Sequence, residues 1–424
     1  VSDTGRAPAK RRPRVFYGYW MIAIALLCLG IFSGCGVGSF SLFVNSLQPE
    51  FGWGRGEIML AFTIFFLLTG LASPLVGNIV DRYGVRGVIA IGSLVTGLGF
   101  ASLFLLQNLW HFYLAYFFIG TGAAAFGQVP ASGMVANWFV KKRGTAIGIM
   151  GTGVGLGTFA VAPLVGSFII PAFGWRAAYL TLGLIAWTLI PLAVFVVRTR
   201  PADMGLHPDG VTRPEELSAT NASVTDSKGL TLKAAMGTMA FWLVSVTFFI
   251  SAFGSLGVIQ TIVPYLQDAG FPGTLAAGAL TLIGLGSAIG KFGFGWLCDK
   301  IEAKQACALS FIFLSAGAVV LMLVKATTPL AVAWLAAFIL GLGAGGWLPT
   351  MTMLVSRNFG LAYYGAIFGM VSLFQAVGGS AGPLFSGFMF DTMTTYFWAF
   401  IVFLCLYAVA VPLILAVRRP KSLV

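Results

Sequence analysis

One lysine stands where a charge is least expected. Lys291 lies in GLGSAIGKFGFGWLCDK (residues 284–300), an apolar, glycine-laced tract that ends in the pair Asp299-Lys300. An ammonium inside a bilayer is costly, so a lone one marks a functional site by default. Its chemistry would be that of a point charge gripping an anion. The competing reading is a long side chain that snorkels to the interface, since Asp299 follows eight residues later, about 12 Å along a helix. At helical spacing Lys291 shares a face with Gly284, Ser287, Ala288, Gly295 and Cys298. These residues are small and weakly polar, where lipid contact would select Leu, Ile and Phe, and this favours a pocket.

The chain around this tract is built for a membrane. Of 424 residues, 58% are hydrophobic and 9% charged, with a mean hydropathy of +0.93, whereas soluble chains carry about a quarter charged residues. Twelve apolar segments are predicted as transmembrane helices, at 16–47, 58–80, 88–106, 110–139, 145–168, 176–197, 241–266, 275–298, 306–324, 329–355, 365–390 and 396–417. They divide the chain into a basic tail (1–15), a six-helix half (16–197), a polar linker (198–240), a second six-helix half (241–417) and a short tail (418–424). The first tail is expected to be disordered and cytoplasmic rather than a signal peptide, because the apolar run that follows is too long.

The basic residues set the expected orientation. Twenty-one of the 25 Lys and Arg fall in the tails, the linker and the loops on their side; Arg55, Arg176 and Lys325 fall opposite, and Lys291 falls in neither set. By the positive-inside rule both termini and the linker are cytoplasmic. The net charge of +12 is thus a topology signal, with no need of nucleic acid. All thirteen acids lie in tails, loops or helix ends, and His111 and His207 lie in loops. Five scattered cysteines form no CxxC pair, so a metal site or a disulfide framework has little support. Enzyme motifs are missing too: the GTGVGLG glycines fall inside an apolar segment rather than after a soluble strand. No enzyme activity and no cofactor are expected.

The halves echo each other. GNIVDRYGVRG (77–87) follows the second segment and GWLCDKIEAK (295–304) the eighth. The first resembles the signature loop of the major facilitator superfamily, and the second is its weaker copy. The resemblance implies an all-α integral membrane fold of two six-helix halves, with substrate held between them near mid-membrane. It also makes Asp81, Arg82, Asp299 and Lys300 gating or structural residues. FYGYW (16–20), SFSLFVNSLQPEFGWGR (39–55), GWRAAYL (174–180) and ADMGLHPDG (202–210) resemble the monocarboxylate transporter branch, including its bacterial members and the oxalate:formate antiporters.

In that branch a helix-8 arginine binds the substrate carboxylate, and GKFGFGWLCD puts Lys291 at its position. A planar bidentate fork is thereby exchanged for a point charge. An aspartate and a helix-1 lysine that accompany that arginine in animal members correspond to Ser287 and Gly38 here. Lys291 would then carry any coupled proton itself. Gln128, Gln260, Tyr265, Trp347, Thr350, Ser372 and Gln375 are the further substrate-binding candidates, each with an interhelical hydrogen bond or core filling as the plainer alternative. Gln375 falls where the dianion exchangers carry a second lysine, so one cation favours a monoanion. Asn45 and Thr247 read as structural. The expectation is a monomeric, multi-pass transporter of the cytoplasmic (inner) membrane that moves lactate- or pyruvate-like monocarboxylates by alternating access with a proton as coupling ion. Carboxylate exchange of the oxalate/formate kind is the alternative. Export of drugs or other hydrophobic compounds would want a membrane-buried carboxylate that this chain lacks, and no signalling domain supports a receptor.

Overall fold

A computed structural model describes residues 16–139, 143–207, 229–325, 327–360 and 363–419, apart from the side chains at 73, 74, 78, 81, 136 and 143–145. The tail 1–15, residues 208–228 of the linker and residues 420–424 lie outside the described residues. Where no water is present, a backbone must satisfy its own N–H and C=O groups, and a helix does so within one segment. The described residues are accordingly helical, with one isolated antiparallel bridge between Gly229 and Gly360.

In the first half, α1 is Gly18–Ile31, prolonged by a π-helical stretch Phe32–Gly38 and a 3-10 turn Phe40–Leu42. α2 is Arg55–Tyr83 and α3 is Val85–Ser102; α4 is Leu109–Ala124 followed by Gln128–Trp138. α5 is Arg143–Pro163 with a π-helical end Leu164–Ile169, and α6 is Ile170–Trp187 followed by Leu189–Phe195. In the second half, α7 is Met239–Asp268, α8 is Gly273–Lys300 and α9 is Ala303–Met322. α10 is Leu330–Gly345 followed by Trp347–Phe359, α11 is Tyr364–Met393 and α12 is Phe397–Leu415.

Eleven helical runs among the described residues are long and apolar enough to cross a membrane, and one of them, Ala146–Phe195, has 50 residues. At about 1.5 Å per residue that run is far longer than one bilayer core of about 30 Å. It folds back at Gly174, whose φ of 79° and ψ of 171° interrupt the helical geometry. Residues with a Cβ rarely adopt such a φ. The run therefore makes two crossings, α5 and α6, and brings the total to twelve.

The repeat seen in the sequence is a repeat of packing. In the first half α1 packs on α5, α2 on α4 and α3 on α6; in the second α7 packs on α11, α8 on α10 and α9 on α12. The halves meet along α5–α8 and α2–α11. Gly155 and Gly284 make the first seam possible: a Cβ added at Gly155 would stand 2.6 Å from the Gly284 carbonyl and from the Ala288 nitrogen. Lacking a hydrophobic drive between helices in lipid, such seams rely on close backbone approach.

The seams are closed at one end. At the end away from the linker, Gly54, Gly56, Gly166 and Gly387 are crowded by atoms of the opposite half. At the linker end, Gly133, Gly148, Gly293, Gly295, Gly365 and Gly369 face open space where a Cβ would stand. The bundle thus opens toward the linker.

Overpacking a tight seam costs about 1–3 kcal/mol. Gly155→Leu is expected to lower the thermal midpoint of the purified protein accordingly. Gly133→Ala, in open space and with the better helix former, should hold or raise it.

Candidate functional site

Counting along each helix from its linker-facing tip places six of the predicted residues in one layer, Thr350 of α10 and the following five. Lys291 on α8, Gln128 on α4, Trp347 on α10, and Ser372 and Gln375 on α11 lie about 12–18 Å from those tips at 1.5 Å per residue. The layer coincides with breaks in two helices. α4 is interrupted at residues 125–127 and α10 at Gly346, so Gln128 and Trp347 each open the second segment of their crossing, at equivalent places in the two halves. Irregular backbone at membrane depth is tolerated where it is buried in protein or lines a water-filled cavity.

Lys291 is 8% exposed, whereas Phe292 and Trp296 on the outer side of the same helix are 79% and 59% exposed. Its stem therefore points into the bundle. Nζ donates to Ser287 Oγ at 2.7 Å, and among the described residues no carboxylate is paired with it. The backbone of Lys291 abuts the α10 break, since a Cβ at Gly345 would stand 2.8 Å from its nitrogen. The small face read from the sequence divides into two contacts: Gly284 and Ala288 meet α5, while Ser287 meets α10.

Other predicted residues are placed elsewhere. Tyr265 lies three residues from the far tip of α7, and its hydroxyl donates to the carbonyl oxygens of Leu321 (3.0 Å) and Val324 at the end of α9. It is not brought to Lys291. Gln260 also lies toward the far end; fully buried, it donates from Nε2 to the Val37 carbonyl (2.8 Å), joining α7 to the π-helical stretch of α1. Thr350 shares the layer, but its hydroxyl turns back to the Gly346 and Trp347 carbonyls. Ser372 bonds the Phe368 carbonyl in the same way. At the linker end Arg82, Asp299 and Lys300 are exposed and unpaired with one another, and Arg357 of α10 donates to the Cys298 carbonyl of α8 (3.0 Å). The side chain of Asp81 lies outside the described residues.

The chain thus has twelve crossings in two like-packed halves, with a buried cation level with two matching helix breaks. Residues 26–383 match the family model of the Major Facilitator Superfamily. The chain belongs to this superfamily. Among its relatives, monocarboxylate transporter 11 of Mus musculus is 25% identical over 391 residues, which cover 90% of this chain and 83% of the relative. The oxalate:formate antiporter of Oxalobacter formigenes is 28% identical over 394 residues, covering 90% and 87%. A solved bacterial homologue of the human lysosomal transporter Spinster, in an inward-facing and unoccupied conformation, aligns with a TM-score of 0.70 at 16% identity over 97% of this chain and 100% of that one. That last likeness concerns the fold.

The superfamily chain carries a second polar cluster, at its closed end, that spacing did not reveal. Arg55, 4% exposed at the start of α2, uses all five of its N–H donors. Nη1 and Nη2 grip the Asp268 carboxylate (2.7 Å from Nη2 to Oδ1), Nη1 also donates to the Tyr396 hydroxyl (2.9 Å), Nη2 to Asn45 (3.2 Å) and Nε to Gln48 (3.1 Å). The guanidinium lies 3.8 Å from the centroid of the Phe390 ring. Asp391 accepts from the backbone nitrogens of Arg55 (2.9 Å) and Gly56 (2.7 Å). A separate pair, Arg176–Glu50 at 2.8 Å, stays within the first half. There the Trp175 indole N–H and Arg176 hold the Glu50 carboxyl below the usual carboxylate range. The one available signal for the Arg55 cluster was charge: Arg55 is one of three basic residues expected on that side, and Asp268 and Asp391 end helices there.

Removing the Tyr265 hydroxyl should leave transport intact, because it serves α9. Tyr265→Phe is expected to cost about 1 kcal/mol of stability, seen as a lower thermal midpoint at unchanged uptake.

Proposed function

We propose that this facilitator carries a small monocarboxylate, lactate- or pyruvate-sized, across the cytoplasmic membrane by alternating access, its halves (16–197 and 241–417) rocking about Lys291. Both termini and the linker (198–240) lie on the cytoplasmic side in this reading. One observation carries it: a buried ammonium with three donors spends one on Ser287 and meets no described carboxylate. Two N–H groups are left for the oxygens of an anion. A charge-assisted bond of this kind is among the strong ones, and its worth rises where water is excluded. Gln128, Trp347 and Gln375 in the same layer supply amide and indole donors and an aromatic wall for an apolar substrate body. The relatives, monocarboxylate transporters and an oxalate:formate antiporter, support the substrate class.

Coupling follows from the same site. With no described carboxylate beside it, Lys291 itself is the group that would exchange a proton as substrate enters and leaves, which makes the cycle a symport. An ammonium that meets no described carboxylate also favours one second reading, exchange of one anion for another without protons. In that case the site never stands empty while it reorients.

Uptake of labelled lactate or pyruvate into proteoliposomes tests both. A lost charge-assisted bond of about 1.5–3 kcal/mol corresponds to roughly 10–100-fold in affinity. Lys291→Ala is expected to reduce uptake on that scale, and undiminished uptake would remove Lys291 from the site. Lys291→Arg should retain binding. Uptake driven by an inward proton gradient supports symport; uptake indifferent to the gradient but dependent on internal anion replaces it with exchange.

A further inference from the structure

We infer that Arg55, Asp268 and Asp391 form the gate that holds the end away from the linker closed, and that breaking it is the step that opens the site to that side. The inference rests on the alternating-access reading, though not on the identity of the substrate. The partners come from opposite halves. Arg55, Asn45 and Gln48 belong to the first; Asp268 ends α7, Asp391 lies near the end of α11, and Tyr396 precedes α12. Every bond from Arg55 to Asp268 and Tyr396, and both amide bonds to Asp391, must break if the halves part at this end.

The chemistry suits a gate better than a static brace. A buried charge is stable only while its partners are in place, and removing one partner leaves the other uncompensated. Because these partners lie across the seam, such a loss penalises the closed arrangement rather than the folding of either half. The Glu50–Arg176 pair makes the contrast. It sits at the same end and is likewise an Arg–carboxylate pair, but both residues belong to the first half, and its arginine side chain is 40% exposed where that of Arg55 is 5% exposed. The opposite end shows no counterpart among the described residues: Arg82, Asp299 and Lys300 form no ion pair with a described partner, and Gly293 and Gly295, just before Asp299, face open space. Beside the Arg55 cluster a cavity of about 220 Å³ lies between the halves, lined by Leu42, Ser46 and Gly166 on one side and Val263, Gln267 and Thr274 on the other. Val263 of α7, on its wall, is 1% exposed while the cluster is closed, five residues before Asp268.

Val263→Cys in a Cys405→Ser background gives a reporter that is buried in the closed arrangement, and the four remaining native cysteines are buried as well. The full chain is placed in nanodiscs without substrate and its labelling by a charged maleimide is followed, with the same background lacking Val263→Cys as the blank. Asp268→Asn and Asp391→Asn are each expected to speed labelling of Cys at this position about tenfold, as one lost charge-assisted contact implies. Glu50→Gln should leave the rate unchanged. Unchanged labelling in both aspartate variants, in protein that remains monodisperse, overturns the gate. So does an equal acceleration by Glu50→Gln, which would mean general loosening of that end. Because the readout needs no substrate, it stands or falls separately from the assignment of Lys291.

Discussion

A buried ammonium with no counter-ion among the described residues governs how the rest of the bundle is arranged. Left facing lipid, Lys291 would stay hydrated only by reaching the interface. Held inside, it needs oxygen atoms supplied by the protein or by a ligand. The structure gives it one, Ser287 Oγ, and turns the bulky residues of α8, Phe292 and Trp296, outward. Around it the helices approach through glycine: Gly284 to α5, and Gly290 and Gly345 between α8 and α10. The breaks in α4 and α10 stand in the same layer. Polar backbone, a buried charge and small side chains are thus concentrated where the two halves converge, and the remaining length of each helix can be ordinary apolar packing.

Much of this was legible from the chain. Apolar runs of membrane length fixed twelve crossings, the copies at 77–87 and 295–304 exposed the repeat, and counting residues from Asp299 already put Lys291 well inside. The crossings themselves differ from the predicted segments chiefly at their ends, where the sequence is amphipathic or glycine-rich and the helices run on. Helix breaks were less visible. Residues 125–127 and Gly346 lie in apolar, small-residue stretches where Gly127 precedes Pro130 and Gly346 precedes Pro349 by three residues, a spacing that permits a kink without fixing where it falls.

Hydroxyl and amide roles were the hardest to read, for a reason the placements make plain. Whether Tyr265 or Thr350 faces a site depends on which acceptor lies nearest in space. For Tyr265 that is the end of α9, 56 residues away, and for Thr350 the turn of its own helix. The Arg55 cluster is the extreme case. Arg55 and Asp268 are 213 residues apart, Arg55 and Tyr396 341, and each read by itself is a loop or helix-end residue with an ordinary polar side chain. Asn45, read as structural, proves to be one of the arginine's acceptors.

The cap on α2 deserves a separate thought about helix ends. The first amides of a helix have no partners within it, and here those of Arg55 and Gly56 are satisfied by Asp391, a residue of the other half. Only the Gly54 amide keeps an acceptor from its own helix, the Glu57 carboxylate. When the halves separate at this end, α2 loses its borrowed cap while retaining its own. The opening of the bundle is therefore tied to the fraying of a single helical turn, and the length of α2 is itself a property of the conformational state.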